Sequence, residues 1–328
     1  MTDHRTRTTP PSRLRLALEA DGAGAHPAAW RRSGRPPAAL TAPGTLREVV
    51  AAAQDAGFDL VTLADAPRPP ASGPETVGRL EAGTRAAYVS RLTDRIGLAP
   101  TLQVTTTEPF HLATQLASLD HASHGRAGWV VGATADEGDL ATVGRNPLPS
   151  PALLREAADV IDAARALWDT WEDDAVIRDA ATGRFLDRRK VHHIDFEGPS
   201  FTVKGPLITP RPPQGQLVVL APQELDVAAR ADVVLVGGHD VDAVAARAGA
   251  VRAAAVEAAA TAAASGGGSS PTDGPPLVFA ELEVVLDAEA GASRFPLPPG
   301  SPSWTGGPPG RTPAGCGTSA PRAPWCRC

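Results

Sequence analysis

Cysteine is nearly missing from this chain: its three thiols, Cys316, Cys326 and Cys328, all fall in the last thirteen residues. Gaps of nine residues and then one match neither a disulfide framework nor the paired ligands of a zinc site, so no metal centre is expected. Lysine is almost as scarce, with Lys190 and Lys204 the two present, and arginine carries the other positive charges. With 32 Gly, 33 Pro and many Ala, that balance reads as the codon usage of a GC-rich bacterial genome. Long apolar runs are absent as well. The chain is 42% hydrophobic, yet no stretch approaches the roughly 20 apolar residues of a membrane helix. Residues 1–12 hold Arg, Thr and Pro but none of the apolar core of a secretory signal. A disordered N-terminal tail and a cytoplasmic protein are the expectations. The formal charge of −6 argues against the basic stripe of a nucleic-acid binder.

What the chain does have is alternation between short β-type runs and helical patterns, over a length that suits one large α/β domain. Residues 13–19 alternate as a first strand, and Leu46, Val49, Val50 and Ala53 mark an amphipathic helix that ends before Gly57. Residues 58–65 form a buried strand ending in Asp65, a weakly patterned helix covers about 79–92, and 96–104 is the third strand. Pro109 opens a helix carrying Leu112, Leu116 and Leu119 on one face, and 127–133 is the fourth strand. The clearest helical pattern runs from Leu153 to Trp171, with Trp168 and Trp171 on its apolar stripe as core residues. Polar residues 172–205 interrupt the alternation and read as an inserted loop with one hairpin, 192–196 against 200–203. Residues 217–221 and 232–237 are the next strands, with a short helix between them. An Ala-rich helix spans about 241–264, a Gly/Ser/Pro linker covers 265–276, and 277–286 is a seventh strand.

Strands alternating with helices imply parallel pairing through right-handed crossovers. Seven such strands suit a (β/α)8 barrel with its last strand and helix missing, the barrel domain covering residues 13–292. A doubly wound sheet is the alternative, although no G-x-G-x-x-G follows the first strand. Residues 293–328 depart from all of this: nine Pro, six Gly, no Asp or Glu and no Val or Ile. Such a composition buries too little surface to offset the ordering of the chain. It reads as a disordered tail or as a GC-rich gene translated out of frame. A barrel without its eighth strand leaves strands one and seven with unpaired edges, an aggregation liability unless another chain covers them.

Barrel chemistry gathers at the carboxyl ends of the strands. Those ends present Asp65, the run Thr105-Thr106-Thr107-Glu108 with His111 nearby, Thr134, and the turn Gly237-Gly238-His239-Asp240. There is no Ser-His-Asp or Cys-His arrangement and no paired glycosidase carboxylates. A site of hydroxyls with few titratable groups suits a cofactor that carries the difficult chemistry itself. The adjacent His192 and His193 lack a ligand-spaced partner and read as hairpin contacts. Trp129 lies inside or outside the barrel according to a register that the sequence leaves open.

Several runs carry a resemblance. They are Gly97-Leu98-Ala99-Pro100-Thr101 through Thr107-Glu108-Pro109-Phe110-His111, then Ala117-Ser118-Leu119-Asp120-His121 and Gly125-Arg126-Ala127-Gly128-Trp129. More specific are Leu167-Trp168-Asp169-Thr170-Trp171-Glu172-Asp173-Asp174, Val191-His192-His193-Ile194-Asp195-Phe196-Glu197-Gly198 and Pro210-Arg211-Pro212-Pro213-Gln214-Gly215. Over about residues 13–290 the chain resembles the luciferase-like flavin-dependent monooxygenases, in their nitrilotriacetate and dibenzothiophene-sulfone branch. The resemblance implies a (β/α)8 barrel of the bacterial luciferase type that uses reduced FMN and O2 to oxygenate a small organic substrate. A separate NAD(P)H-dependent reductase supplies the flavin, and the family allows a homo-oligomer. Some relatives use the deazaflavin F420 instead.

By motif position the resemblance assigns Asp65, Thr105, Thr106, Val130, Thr134 and Leu154 to the cofactor pocket, with Glu108 and His111 as candidates for catalysis. Glu108 also suits the N-terminal charge of a helix, and His111 a structural place on one. Three positions depart from the branch. Val130 stands where it has Asn, Leu154 where it has Tyr, and the loop 222–226 lacks the paired serines that hold the FMN phosphate. Glu224 and Asp226 in that loop disfavour an anion unless they point away. Three readings follow: a two-component monooxygenase, an F420-dependent oxidoreductase, and a non-catalytic barrel or partner subunit.

Overall fold

A computed structural model describes residues 13–22, 24, 35–68, 78–264 and 275–282. The expectations for 1–12, for most of the linker (265–274) and for 283–328 lie outside the described residues. Seven strands form one sheet: β1 (Ala17–Ala20), β2 (Leu60–Leu63), β3 (Gly97–Gln103), β4 (Gly128–Gly132), β9 (Val218–Pro222), β10 (Val233–Val236) and β11 (Leu277–Ala280). β5 to β8 are four short strands between β4 and β9: Val176–Asp179, Arg184–Leu186, Phe196–Glu197 and Thr202–Val203. The sheet runs β1-β2-β3-β4-β9-β10-β11 with every neighbour parallel. Chain order equals spatial order, so the strand reversal of a doubly wound sheet is absent and the sheet is that of a partial (β/α)8 barrel.

Alternation along the strands sorts side chains into two cores. Ala99, Val130, Leu220, Val233 and Leu235, with Leu60 and Phe279 against them, fill the inner face. Their neighbours, including Val61, Leu98, Trp129, Val131, Val219 and Val234, face the helices in the larger cluster. The register thus puts Trp129 outside the barrel, where its indole Nε1 donates to the carbonyl of Leu102 at 3.2 Å.

Helix ends follow local chemistry. α1 (Pro43–Asp55) starts with proline and is followed by Gly57 at φ +83°, a left-handed geometry that costs glycine little. α2 is Ala82–Ser90, and α3 (Pro109–Ser123) ends as His124 turns left-handed. A short α4 (Glu137–Ala141), not foreseen from the sequence, precedes α5 (Ser150–Trp168), whose Ala157, Val160, Ile161, Ala164, Leu167 and Trp168 are buried. α6 is Val241–Ala264. Among the described residues no helix is long and apolar enough to cross a membrane.

Three expectations need correction. The helical pattern through Trp171 ends at Trp168, because Thr170 folds its hydroxyl back onto the carbonyl of Leu167 (2.7 Å) and receives the amide of Leu207 (3.1 Å). Trp171 leaves the helix stripe, bridges to Val191 and donates its indole N–H to Leu207 O at 2.8 Å. The inserted segment holds two hairpins rather than one. β7 and β8 form the expected one, with Phe196 and Phe201 stacked at 5.4 Å. β5 and β6 form a second, whose Ile177 and Phe185 stay exposed and so left no burial pattern to read. Between β9 and β10 there is a single 3-10 turn, Gln223–Leu225, in place of a helix.

Asp120 fastens the barrel's amino-terminal end. Fully buried at the end of α3, it accepts the amides of Ala127 (3.1 Å) and Gln214 (3.0 Å) and the side-chain Nε2 of Gln214 (2.6 Å). One carboxylate therefore joins α3, the start of β4 and the segment entering β9. Asp120→Ala removes the acceptor of the Ala127 and Gln214 amides, while the Gln214 side chain keeps the carbonyl of Ala127 at 2.8 Å, and it is expected to cost about 2–4 kcal/mol in urea unfolding. Asp120→Asn keeps one acceptor and is expected to cost roughly half of that.

Candidate active site

At the carboxyl ends of β2 and β3 a cleft of about 600 Å³ opens, within the range of small-molecule sites. One wall is the segment after β2, Asp65 to Arg68, with Arg79 and Glu81 before α2; the other is the tip of β3 with His111 and Gln115 of α3. Inward positions along β3 run Gly97, Ala99, Thr101, Gln103, so the barrel interior turns from apolar to polar as the strand nears its mouth.

The β2 wall is a lattice of charges held by backbone groups. Asp65 accepts the amide of Ala66 at 2.8 Å and that of Ala82, the first residue of α2, at 2.7 Å. Burial nevertheless pushes its carboxyl above the usual carboxylate range. Asp21, after β1, is raised for the same reason despite its ion pair with Arg79 at 2.8 Å. Arg85 is buried behind them and donates to the carbonyls of Ala64 and Ala20, joining the ends of β1 and β2; burial lowers its pKa. Burial also acts to raise Glu81, but amide hydrogen bonds from Gly83 (2.7 Å) and Thr84 (2.6 Å) hold its carboxyl below the ordinary value. Arg68, on the rim, pairs with Asp136 and with Asp139 (Nε to Oδ1, 2.7 Å).

Of the residues singled out in the sequence, Asp65, Thr106 and His111 line this cleft. The others stand around it or behind it. Glu108 is the N-cap of α3, accepting from the amides of Phe110 (3.0 Å) and His111 (2.7 Å). Thr105 is buried; its hydroxyl accepts the amide of Thr134 at 3.1 Å, and the Thr134 hydroxyl donates to Asp139 at 2.9 Å. Val130 belongs to the inner apolar core, and Leu154 packs against the helix-side core.

Sequence reasoning passed over Arg68, Arg79, Glu81, Gln103 and Arg145. Gln103 had a usable signal, since it shares the inward parity of Thr101. The arginines did not, because their partners are 58 to 71 residues away or on another element. Arg145 holds the β3 tip from behind: its Nη1 donates to Thr105 O (2.7 Å) and to Glu156 Oε1 (2.7 Å), and its Nη2 to Glu156 Oε2 (2.9 Å). Glu156 is 3% exposed on α5, so this pair ties α5 to the mouth. The two histidines of the inserted segment have ordinary partners: His192 meets Glu172 at 2.8 Å and His193 the carbonyl of Gly205 at 2.7 Å.

Comparison with known proteins agrees with this architecture. A family model described as luciferase-like monooxygenase matches residues 24–272. The chain is 36% identical over 215 residues to N-acetyl-S-(2-succino)cysteine monooxygenase of Bacillus subtilis (strain 168), covering 65% of this chain and 49% of that protein. It is 33% identical to nitrilotriacetate monooxygenase component A of Aminobacter aminovorans, covering 60% and 47%. Among solved structures, EDTA monooxygenase from Chelativorans sp. BNC1 superposes with a TM-score of 0.68 at 25% identity, covering 85% of this chain and 64% of that one. The chain spans about half the length of these curated relatives.

The Arg145–Glu156 pair yields a direct test. Arg145→Met strands a buried carboxylate and is expected to cost about 2–4 kcal/mol in denaturant unfolding, below the loss for a fully enclosed pair because the Arg145 side chain is 36% exposed. Arg145→Met with Glu156→Met removes both charges, and the double variant is expected to be more stable than the single one.

Proposed function

The chain belongs to the luciferase-like monooxygenase family, and on that footing we propose that it is the oxygenating component of a two-component flavin monooxygenase. In this reading it takes reduced FMN from a separate NAD(P)H-dependent flavin reductase and uses O2 to oxygenate a small organic substrate. The observation that carries the reading is the cleft over β2 and β3: a polar wall with no Ser or Cys nucleophile among its described residues, set at the mouth of an apolar barrel. Such a site binds and orients while a cofactor supplies the chemistry.

The residues present fit a flavin ring. Thr101, Thr106 and Thr107 offer hydroxyls on the cleft wall, and the amide of Gln103 lies among them with a buried Oε1 that has no partner among the described residues. Reduced flavin, when bound, supplies the electrons that activate O2. The inner core of Ala99, Val130 and Leu220 gives the mouth an apolar floor. His111, the imidazole on the wall, is the group we assign to moving a proton at the substrate. Glu108 is less suited to that task, since both its oxygens are engaged by the amides of α3. Arg68 and Arg79 are neutralised by Asp136, Asp139 and Asp21, so they give no reason to narrow the substrate beyond a small organic molecule.

The phosphate of FMN has a weaker claim on this chain. The amino end of α6, where helix N–H groups would attract an anion, is already capped by Asp240, whose Oδ1 accepts the amide of Ala243 at 2.7 Å. Glu224 and Asp226 are exposed on the loop after β9. Affinity therefore rests on the ring. Anaerobic titration is expected to give a Kd for reduced FMN on the order of micromolar, with riboflavin within about threefold of FMN and F420 weaker. Failure of folded protein to take up any of them would leave the reading of a non-catalytic barrel or partner subunit. Preference for F420 would move it to hydride transfer without oxygenation.

A further inference from the structure

Gln103 and Gly132 are register partners on β3 and β4. The glutamine amide lies flat on the glycine: a Cβ at position 132 would fall 2.6 Å from Nε2, 2.7 Å from Cδ and 2.9 Å from Oε1 of Gln103. No side chain can occupy 132 without displacing that amide. The Nε2 group donates to the backbone carbonyl of Asp65 at 3.4 Å. A carbonyl only accepts, so this contact orients the amide with its NH2 toward β2 and its oxygen away from it. The oxygen is then buried without a partner among the described residues, in a side chain that lines the cleft. Buried carbonyls are almost always hydrogen-bonded, and an orphan at the wall of a cleft marks the place of a missing donor.

We propose that Gln103 recognises the imide edge of the flavin ring, its Oε1 accepting the ring N3–H and its second amide hydrogen donating to a neighbouring ring carbonyl. This assignment rests on the reading that the chain binds a flavin. A primary amide is the complement of an imide, since each offers one donor beside one acceptor. The contact to Asp65 is long and engages one of the two Nε2 hydrogens, so a small turn about the Cγ–Cδ bond brings both amide groups to a ligand. Thr101 and Thr106 flank the amide on the same wall. The deazaflavin ring carries the same imide, so the assignment concerns the ring edge and not the choice between the two cofactors.

The test compares FMN with 3-methyl-FMN, in which the donor is replaced by a methyl group, by fluorescence titration of wild-type protein and of Gln103→Leu. Methylation is expected to weaken binding to the wild type tenfold or more. Gln103→Leu is expected to lower FMN affinity by a similar factor and to bind the two ligands equally. Equal affinity of the wild type for both ligands, or discrimination that persists in Gln103→Leu, would overturn the assignment while leaving flavin binding intact. Absence of FMN binding to the wild type would overturn the flavin reading itself, and this assignment with it. The wild-type comparison needs no variant, so equal affinity for the two ligands overturns the assignment even if Gln103→Leu fails to fold.

Discussion

The burial of a few small side chains on the concave face of one parallel sheet is the constraint from which the rest of the molecule follows. Ala99, Val130, Leu220, Val233 and Leu235 come from four adjacent strands, and they meet as neighbours on one face once those strands pair in this register. Curling sets all seven parallel strands with their carboxyl ends around one mouth. The same alternation that places Ala99 in the core places Thr101 and Gln103 above it. Core and cleft are thus successive levels of a single pattern, apolar below and polar above, and a change of register by one residue would destroy both.

The mouth is held from several sides. Arg85 ties the carbonyls that end β1 and β2, and Asp65 caps α2 while forming the cleft wall. Arg145 and Glu156 hold Thr105 against α5. At the opposite end Asp120 and Gln214 clasp the entries to β4 and β9. Polar groups buried in this way are costly unless paired, and here each is paired mostly with backbone, which fixes loops that have no periodic pattern of their own. Several buried side-chain atoms have no partner among the described residues, Arg85 Nε included, and the Oε1 of Gln103 is the one of them that belongs to a side chain lining the cleft.

The barrel was legible in the sequence because its strands and helices keep strong periodicities: β3, β4, α5 and α6 fall within a few residues of where the pattern puts them. Local chemistry misled where it competed with periodicity. Thr170 stops α5 through its own hydroxyl, although Trp171 continues the apolar spacing. The hairpin of β5 and β6 is held by turn chemistry at Asp179, which accepts the amide of Ala181 at 3.0 Å, and it buries too little to show in a hydrophobicity pattern. The site was legible in part. Asp65, Thr106 and His111 could be found because strand ends are visible in sequence. Arg79 and Arg68 could not, since their place depends on ion pairs across 58 and 71 residues. The positions of Val130 and Leu154 follow from packing: a branched aliphatic side chain at either one fills core.

The central claim is that the polar mouth over β2 and β3 seats a flavin ring. It is tested most directly by diffraction from crystals of the full chain grown with riboflavin. The account predicts ring density within the cleft, against Thr101, Gln103 and Thr106, with the amide of Gln103 on the pyrimidine edge. Ring density elsewhere on the molecule with this cleft filled only by solvent would contradict it.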